Sequence, residues 1–183
     1  MLLYPVCYGD IEADEVTRLG GIADIVIDHK DLLSYAEPWR WRERFSARTW
    51  MHASESPGGG GPRPIDRRFE GDVELRPGLR LLHTPGHTKS SCCALLETEG
   101  GILFPSDSIL FTATGEARLA RPQKGSGDVE ALASSVAKLE IEPFAAVAPV
   151  VVPGGRYVHK YRGTGRAGLF VSLRETLAGF SRI

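Results

Sequence analysis

The 183 residues suit a single domain, with 42% hydrophobic and 25% charged residues in the proportions of a soluble globular protein. A formal net charge of -1, with no basic stripe, excludes an electrostatic grip on nucleic acid or anionic lipid. No apolar run approaches the roughly 20 residues of a membrane span, so the expected partner is a small molecule.

Cysteine usage bears on the compartment. Cys7, Cys92 and Cys93 are odd in number, and two are adjacent, which points their side chains to opposite faces of a strand. They read as small buried apolar groups in a reducing environment. Met1-Leu2-Leu3-Tyr4-Pro5 has neither a charged leader nor a long apolar stretch. The expectation is a soluble, intracellular, cytoplasmic protein.

In chain order, the first buried-strand pattern is Ile22–Ile27, ending at Asp28-His29. Ser34 to Phe45 predicts a helix with Pro38 in its early turn. Ala47 to Met51 predicts a strand that ends at His52. Ser54 to Pro64, with four consecutive glycines and three prolines, reads as a flexible surface loop; no Gly-Lys-Ser/Thr follows, so it is no phosphate loop. Strands follow at Leu79–Leu82, ending in His83-Thr84-Pro85-Gly86-His87, at Ser91–Leu96, and at Gly101–Phe104, which runs into Pro105-Ser106-Asp107. Asp128 to Leu139 predicts a helix, capped by Asp128 and apolar at Leu132, Val136 and Leu139. Ala145 to Val152 predicts a last strand and Gly168 to Phe180 a terminal helix.

His29, His52, His87 and Asp107 each lie just past the C-terminal end of a different apolar strand. In α/β sheets, sites form in the crevice outside those ends. The Pro85-Gly86 pair forces a tight turn that aims the His87 imidazole off the sheet edge. His83 falls out of phase with its strand neighbours and reads as structural. Asp28 reads as a strand-end cap or a general base.

Thr84-Pro85-Gly86-His87-Thr88, Ser90–Leu96 and Gly101-Ile102-Leu103-Phe104-Pro105-Ser106-Asp107 together resemble the middle of a metallo-β-lactamase-fold hydrolase. That family's pattern is TPGHTxGS, a strand, then LFxGD. The resemblance implies an αββα sandwich. It makes His87 a ligand of the first metal and Asp107 a metal-bridging carboxylate. The family's leading HxHxDH motif matches Asp28-His29-Lys30-Asp31-Leu32-Leu33-Ser34 only in part. His29 takes the place of the first His and Asp31 that of the second, while Leu33 and Ser34 replace the Asp-His pair. The final His of the family's PGHG is absent from Pro153-Gly154-Gly155-Arg156. His159 is either its substitute or an exposed histidine beside Lys160 and Tyr161. Tyr157, Tyr161 and Arg162 are candidates for contact with an anionic substrate by position alone.

The implied site holds one divalent metal ion, zinc first, with iron or manganese as alternatives. Its ligands are His29, Asp31, His87 and Asp107, with Asp31 and Asp107 as candidate catalytic carboxylates and His52 lining the pocket. Two function classes are expected. The first is a mononuclear metal-dependent hydrolase of an ester, thioester or amide-type bond. The second is a catalytically inactive relative, without metal, kept as a binding or assembly module. Metal-dependent redox chemistry is a lesser third. His29 comes early for the β-rich segment that precedes the first motif in the family. Part of the N-terminal β-layer is therefore expected to be missing, and a homodimer or partner subunit is expected to cover the exposed sheet.

Overall fold

The computed structural model describes residues 1–3, 8–35, 37–56, 65–98, 100–112, 114–149, 159–160 and 165–180. The chain divides into two compact units, Met1–Glu70 and Gly71–Ile183.

The first unit carries β1 (Leu2–Leu3), α1 (Asp10–Arg18), β2 (Asp24–Ile27), α2 (Leu32–Tyr35), α3 (Pro38–Phe45), β3 (Arg48–His52) and β4 (Arg67–Phe69). Its strands form one sheet in the order β1-β2-β3-β4, with every described pairing parallel. Parallel neighbours need crossover connections, and α1, then α2 with α3, supply the first two. All four residues of β2 are buried, as expected of a strand covered on both faces. That burial includes Asp24, whose Oδ1 accepts from Arg48 Nη2 and from the Trp50 indole N–H, each at 2.9 Å. One apolar cluster joins Ala13 of α1, Ile25 of β2 and Trp41 of α3. Trp41 also meets Tyr8 edge-on and stacks near Phe45. A second cluster joins Ile27, Leu32, Leu33 and Met51.

The helix predicted over Ser34–Phe45 is two helices. Glu37 stands between them in the left-handed region, at φ 43° and ψ 50°. A proline disfavours the α conformation in the residue before it, so Pro38 cannot continue α2 and instead begins α3. Of the glycine-rich segment 54–64, residues 57–64 lie outside the described residues.

The second unit carries β5 (Val73–Arg76), β6 (Leu79–His83), β7 (Cys92–Leu96), β8 (Ile102–Phe104), a 3-10 turn (Ser106–Ser108), β9 (Ile109–Phe111), β10 (Ala117–Leu119), α4 (Val129–Ile141), β11 (Ala146–Val147), β12 (His159–Lys160) and α5 (Gly165–Phe180). Six of these strands form one sheet in the order β12-β11-β8-β7-β6-β5, and β9 and β10 make a separate antiparallel pair. Leu82, Cys93, Leu95, Leu103 and Val147 project from this sheet into a core shared with Leu132, Val136 and Leu139 of α4 and Leu169, Phe170 and Leu173 of α5. Asp128 caps α4 as expected, accepting the Ala131 N–H at 2.6 Å. At the other end of α4, Arg166 Nη2 donates to the carbonyls of Leu139, Glu140 and Glu142, a cation placed at the helix C-terminus, where it complements the helix dipole.

The strand predicted over Ala145–Val152 is seen only over Ala146–Val147, and residues 150–158 lie outside the described residues. Cys92 and Cys93 are buried thiols, and Cys7 is outside the described residues. Among the described residues, no helix is long and apolar enough to cross a membrane.

Candidate metal centre

In the first unit, β2 and β3 are parallel neighbours, so Asp28-His29, just beyond β2, and His52, the last residue of β3, lie at the same end of the sheet. The chain bends at His29, and the following turn is closed by Leu32 N–H to the His29 carbonyl and Leu33 N–H to the Lys30 carbonyl. Asp31 lies in this turn and is half-buried, with one of its carboxylate oxygens within 4.8 Å of a ring nitrogen of His29. His29 itself is almost wholly buried, and its Nδ1 lies 3.0 Å from Asp28 Oδ1.

In the second unit, β6 and β8 both run antiparallel to β7 and hence parallel to one another. The turn after β6 carries His87 and the turn after β8 carries Asp107, which brings this pair to one end of the six-stranded sheet.

The His87 turn is fastened at several points. Gly86 adopts φ 137°, and a Cβ there would sit 2.4 Å from Leu132 Cα, so only glycine lets the turn lie against α4. Thr84 N–H donates to the Ser91 carbonyl, and Thr88 N–H donates to Ser91 Oγ. The Thr88 and Ser91 hydroxyls meet at 2.9 Å, both fully buried. Ser135 of α4 donates its hydroxyl to the Pro85 carbonyl at 2.6 Å. Gly127 is equally confined, since a Cβ there would lie 2.6 Å from the His87 carbonyl oxygen.

Asp107 is half-buried within the 3-10 turn. Ser106, where the resembling pattern has glycine, keeps glycine's left-handed backbone at φ 56°.

The tautomers of the histidines follow from their partners. His87 Nδ1 lies 2.8 Å from the Arg121 carbonyl oxygen, which can only accept. Nδ1 therefore carries the proton, and the neutral ring keeps its lone pair at Nε2. The carboxylate beside His29 Nδ1 imposes the same choice on that ring. In both imidazoles Nδ1 is held by an oxygen acceptor, an arrangement also usual for metal-ligating histidine. Imidazoles and carboxylates are ligand types that zinc and iron both take.

His52 is set the other way. Its Nδ1 accepts the Ser54 backbone N–H at 3.2 Å, so its proton is on Nε2 and the ring presents a donor rather than a lone pair. It is buried, edge-on to Phe69. His83 Nε2 donates to the Lys89 carbonyl at 2.9 Å, and burial pushes its pKa below the usual histidine value, in keeping with a structural role. Reading the sequence for donors missed Asp28 as a partner of His29, and no pattern signals it, because the contact depends on the bend at His29. It also missed Arg121, whose carbonyl comes from 34 positions along the chain. The backbone of His159 pairs with Val147 in an edge bridge. Tyr157, Tyr161, Arg162 and residues 153–156 lie outside the described residues.

No family model matches the chain. Over 42 residues, 22% of this chain and 17% of the other, it is 51% identical to an N-acyl homoserine lactonase from a Bacillus species. The chain therefore aligns with well under two thirds of that relative's length. Among solved structures, TTHA1623, in a di-iron-bound form, superposes with a TM-score of 0.64 at 20% identity, covering 84% of this chain and 82% of that one. BLEG-1, a B3 metallo-β-lactamase, superposes with a TM-score of 0.61 at 24% identity, covering 82% and 80%.

Proposed function

From the metallo-β-lactamase fold that this chain has, we propose a metal-dependent hydrolase of an ester, thioester or amide-type bond. His29, Asp31 and His87 are the ligands of one divalent ion, zinc first and iron or manganese as alternatives. Asp107 is a fourth ligand or a group beside the ion. The observation that carries this reading is the matched setting of the two imidazoles, each with Nδ1 on an oxygen acceptor and its lone pair at Nε2. An ion held there would supply Lewis acidity, activating water and polarising the scissile carbonyl. Asp31 contributes negative charge as a ligand and so is not at the same time the free base. The stretch shared with a lactonase supports an ester-type bond, since a lactone is a cyclic ester.

A single ion is supported by Leu33, which stands where the resembling motif has its second-site carboxylate. Leu33 has no donor atom and is buried against Ile27, Leu32 and Met51. The same replacement favours a second reading, a catalytically inactive relative that serves as a binding or assembly module.

Elemental analysis together with turnover separates the two. The hydrolase reading expects about one equivalent of zinc, iron or manganese per chain, and hydrolysis of a generic ester or thioester that falls at least about a hundredfold in His87→Ala. A preparation that binds none of the three metals and gains nothing from their addition overturns it. Absence of turnover, with or without metal, leaves the second reading. We further propose that the chain works as a homodimer or with a partner subunit.

A further inference from the structure

We infer that Asp28 is a positioning residue for the metal site, fixing the His29 ring in the tautomer with its proton on Nδ1 and strengthening it as an electron-pair donor; this rests on the metal-binding reading above. Asp28 Oδ1 lies 3.0 Å from His29 Nδ1, and the two side chains are 4% and 2% exposed. Neighbouring residues of an extended strand point to opposite faces, so such a contact cannot form while the chain stays extended. It forms here because β2 ends at Ile27 and the chain bends at His29, turning the ring back on the residue before it.

This geometry excludes one of the two roles open to Asp28 from sequence, that of general base. A general base needs an oxygen that faces substrate and water, and Asp28 is 3% exposed with Oδ1 occupied by the ring. The bond goes to the imidazole, which makes the carboxylate an orienter of its neighbour. Comparison with His87 shows what the charge adds. That ring is oriented by a neutral carbonyl, whereas the His29 ring is oriented by a carboxylate. A hydrogen bond to an ionised acceptor is roughly twice as strong as a neutral one. A ring polarised in this way is a stronger electron-pair donor, which suits a site with two imidazole ligands where the full family motif supplies more.

The experiment uses the full chain, wild type and two variants, with zinc alone as the probe. Proton–nitrogen correlation spectra of the metal-free protein report the His29 tautomer, and competition with a chromophoric chelator reports zinc affinity. The wild type is expected to hold the proton on Nδ1. Asp28→Ala is expected to shift it toward Nε2 and to weaken zinc binding about 10- to 100-fold. Asp28→Asn keeps an oxygen acceptor without the charge, so it should preserve the tautomer and weaken binding by an intermediate factor. A proton on Nε2 in the wild type overturns the inference, as does wild-type affinity in Asp28→Asn. If Asp28→Ala does not fold, Asp28→Asn decides alone on the same criterion. Should the wild type bind no zinc, iron or manganese, the hydrolase reading falls. The tautomers of the wild type and of Asp28→Asn then decide separately whether Asp28 orients the ring.

Discussion

Ser46 closes α3 in the left-handed region, at φ 50° and ψ 36°, with its N–H on the Arg42 carbonyl. Its side chain is exposed, so replacement by glycine removes the Cβ penalty of that conformation without emptying a packed site. Ser46→Gly is expected to stabilise the protein by about 0.5–1 kcal/mol, a rise of about 1–4 °C in melting temperature. Calorimetry checks this, and no rise would mean that the cap is not strained. Ser106 shares the left-handed backbone but is buried inside the 3-10 turn, so the same exchange there would also remove buried contacts. At this scale the sequence announced His87 well, because Pro85 and Gly86 leave the chain little choice but a tight turn with the imidazole at its apex. Sequence reasoning placed His52 at the pocket rather than among the candidate ligands, but it could not give the state of its ring. Its tautomer depends on a backbone N–H two residues on, which is a matter of turn geometry rather than residue type.

Asp66 joins elements that its own short segment does not belong to. Its carboxylate accepts from Arg42 of α3, through Nε at 3.0 Å and Nη2 at 2.8 Å, and from the Thr49 backbone N–H and hydroxyl on β3. The Arg42 guanidinium holds this carboxyl far below the usual carboxylate range, against an opposing push from burial. A carboxyl depressed in the folded state stabilises fully above the unfolded value of about 3.9, and that contribution is lost as pH falls through the lower folded value. Asp66→Asn should therefore cost about 1–2 kcal/mol at pH 6, after allowance for a side chain that is a quarter exposed. The gap between variant and wild type in urea unfolding should narrow as pH is taken from 5 toward 2. A gap that stays constant with pH would place the stabilisation in packing instead. Among the elements, the runs of buried apolar residues that became β2, β3, β6, β7 and β8 were legible, and so was α4 from its cap and periodicity. β4 was not, because Arg67 and Arg68 face solvent and only Phe69 is buried. The β9–β10 pair and α1 were missed for a related reason. Leu110, Ile11 and Leu19 are exposed, so the apolar residues of these segments do not mark a single inward face.

For the molecule as a whole, the fold class was readable because two motifs and the hairpin between them occur in the right order, and that order carries a topology. The division into two compact units was not readable, because no shift in composition marks the boundary near Glu70. The proposed homodimer or partner complex belongs to this scale. Ile11 on α1, Leu19 just after it and Ile141 at the end of α4 are each more than three quarters exposed, and such residues favour association when they gather in a patch. A native mass of at least two chains by light scattering at micromolar concentration is expected, and a mass of one chain counts against the homodimer.

The fastening of the His87 turn to α4 has a dynamic consequence. Asp128 N–H donates to the Gly86 carbonyl, Gln123 N–H to the His87 carbonyl, and Leu132 N–H to the Asp128 carbonyl. Helix start, connecting segment and imidazole therefore have no separate way to loosen. Deuterium should replace the amide protons of Gln123, Asp128 and Leu132 through one shared opening, with matching protection factors. Heat that frays the first turn of the helix would dislodge the histidine in the same event, so loosening of the His87 turn would keep step with the melting of α4.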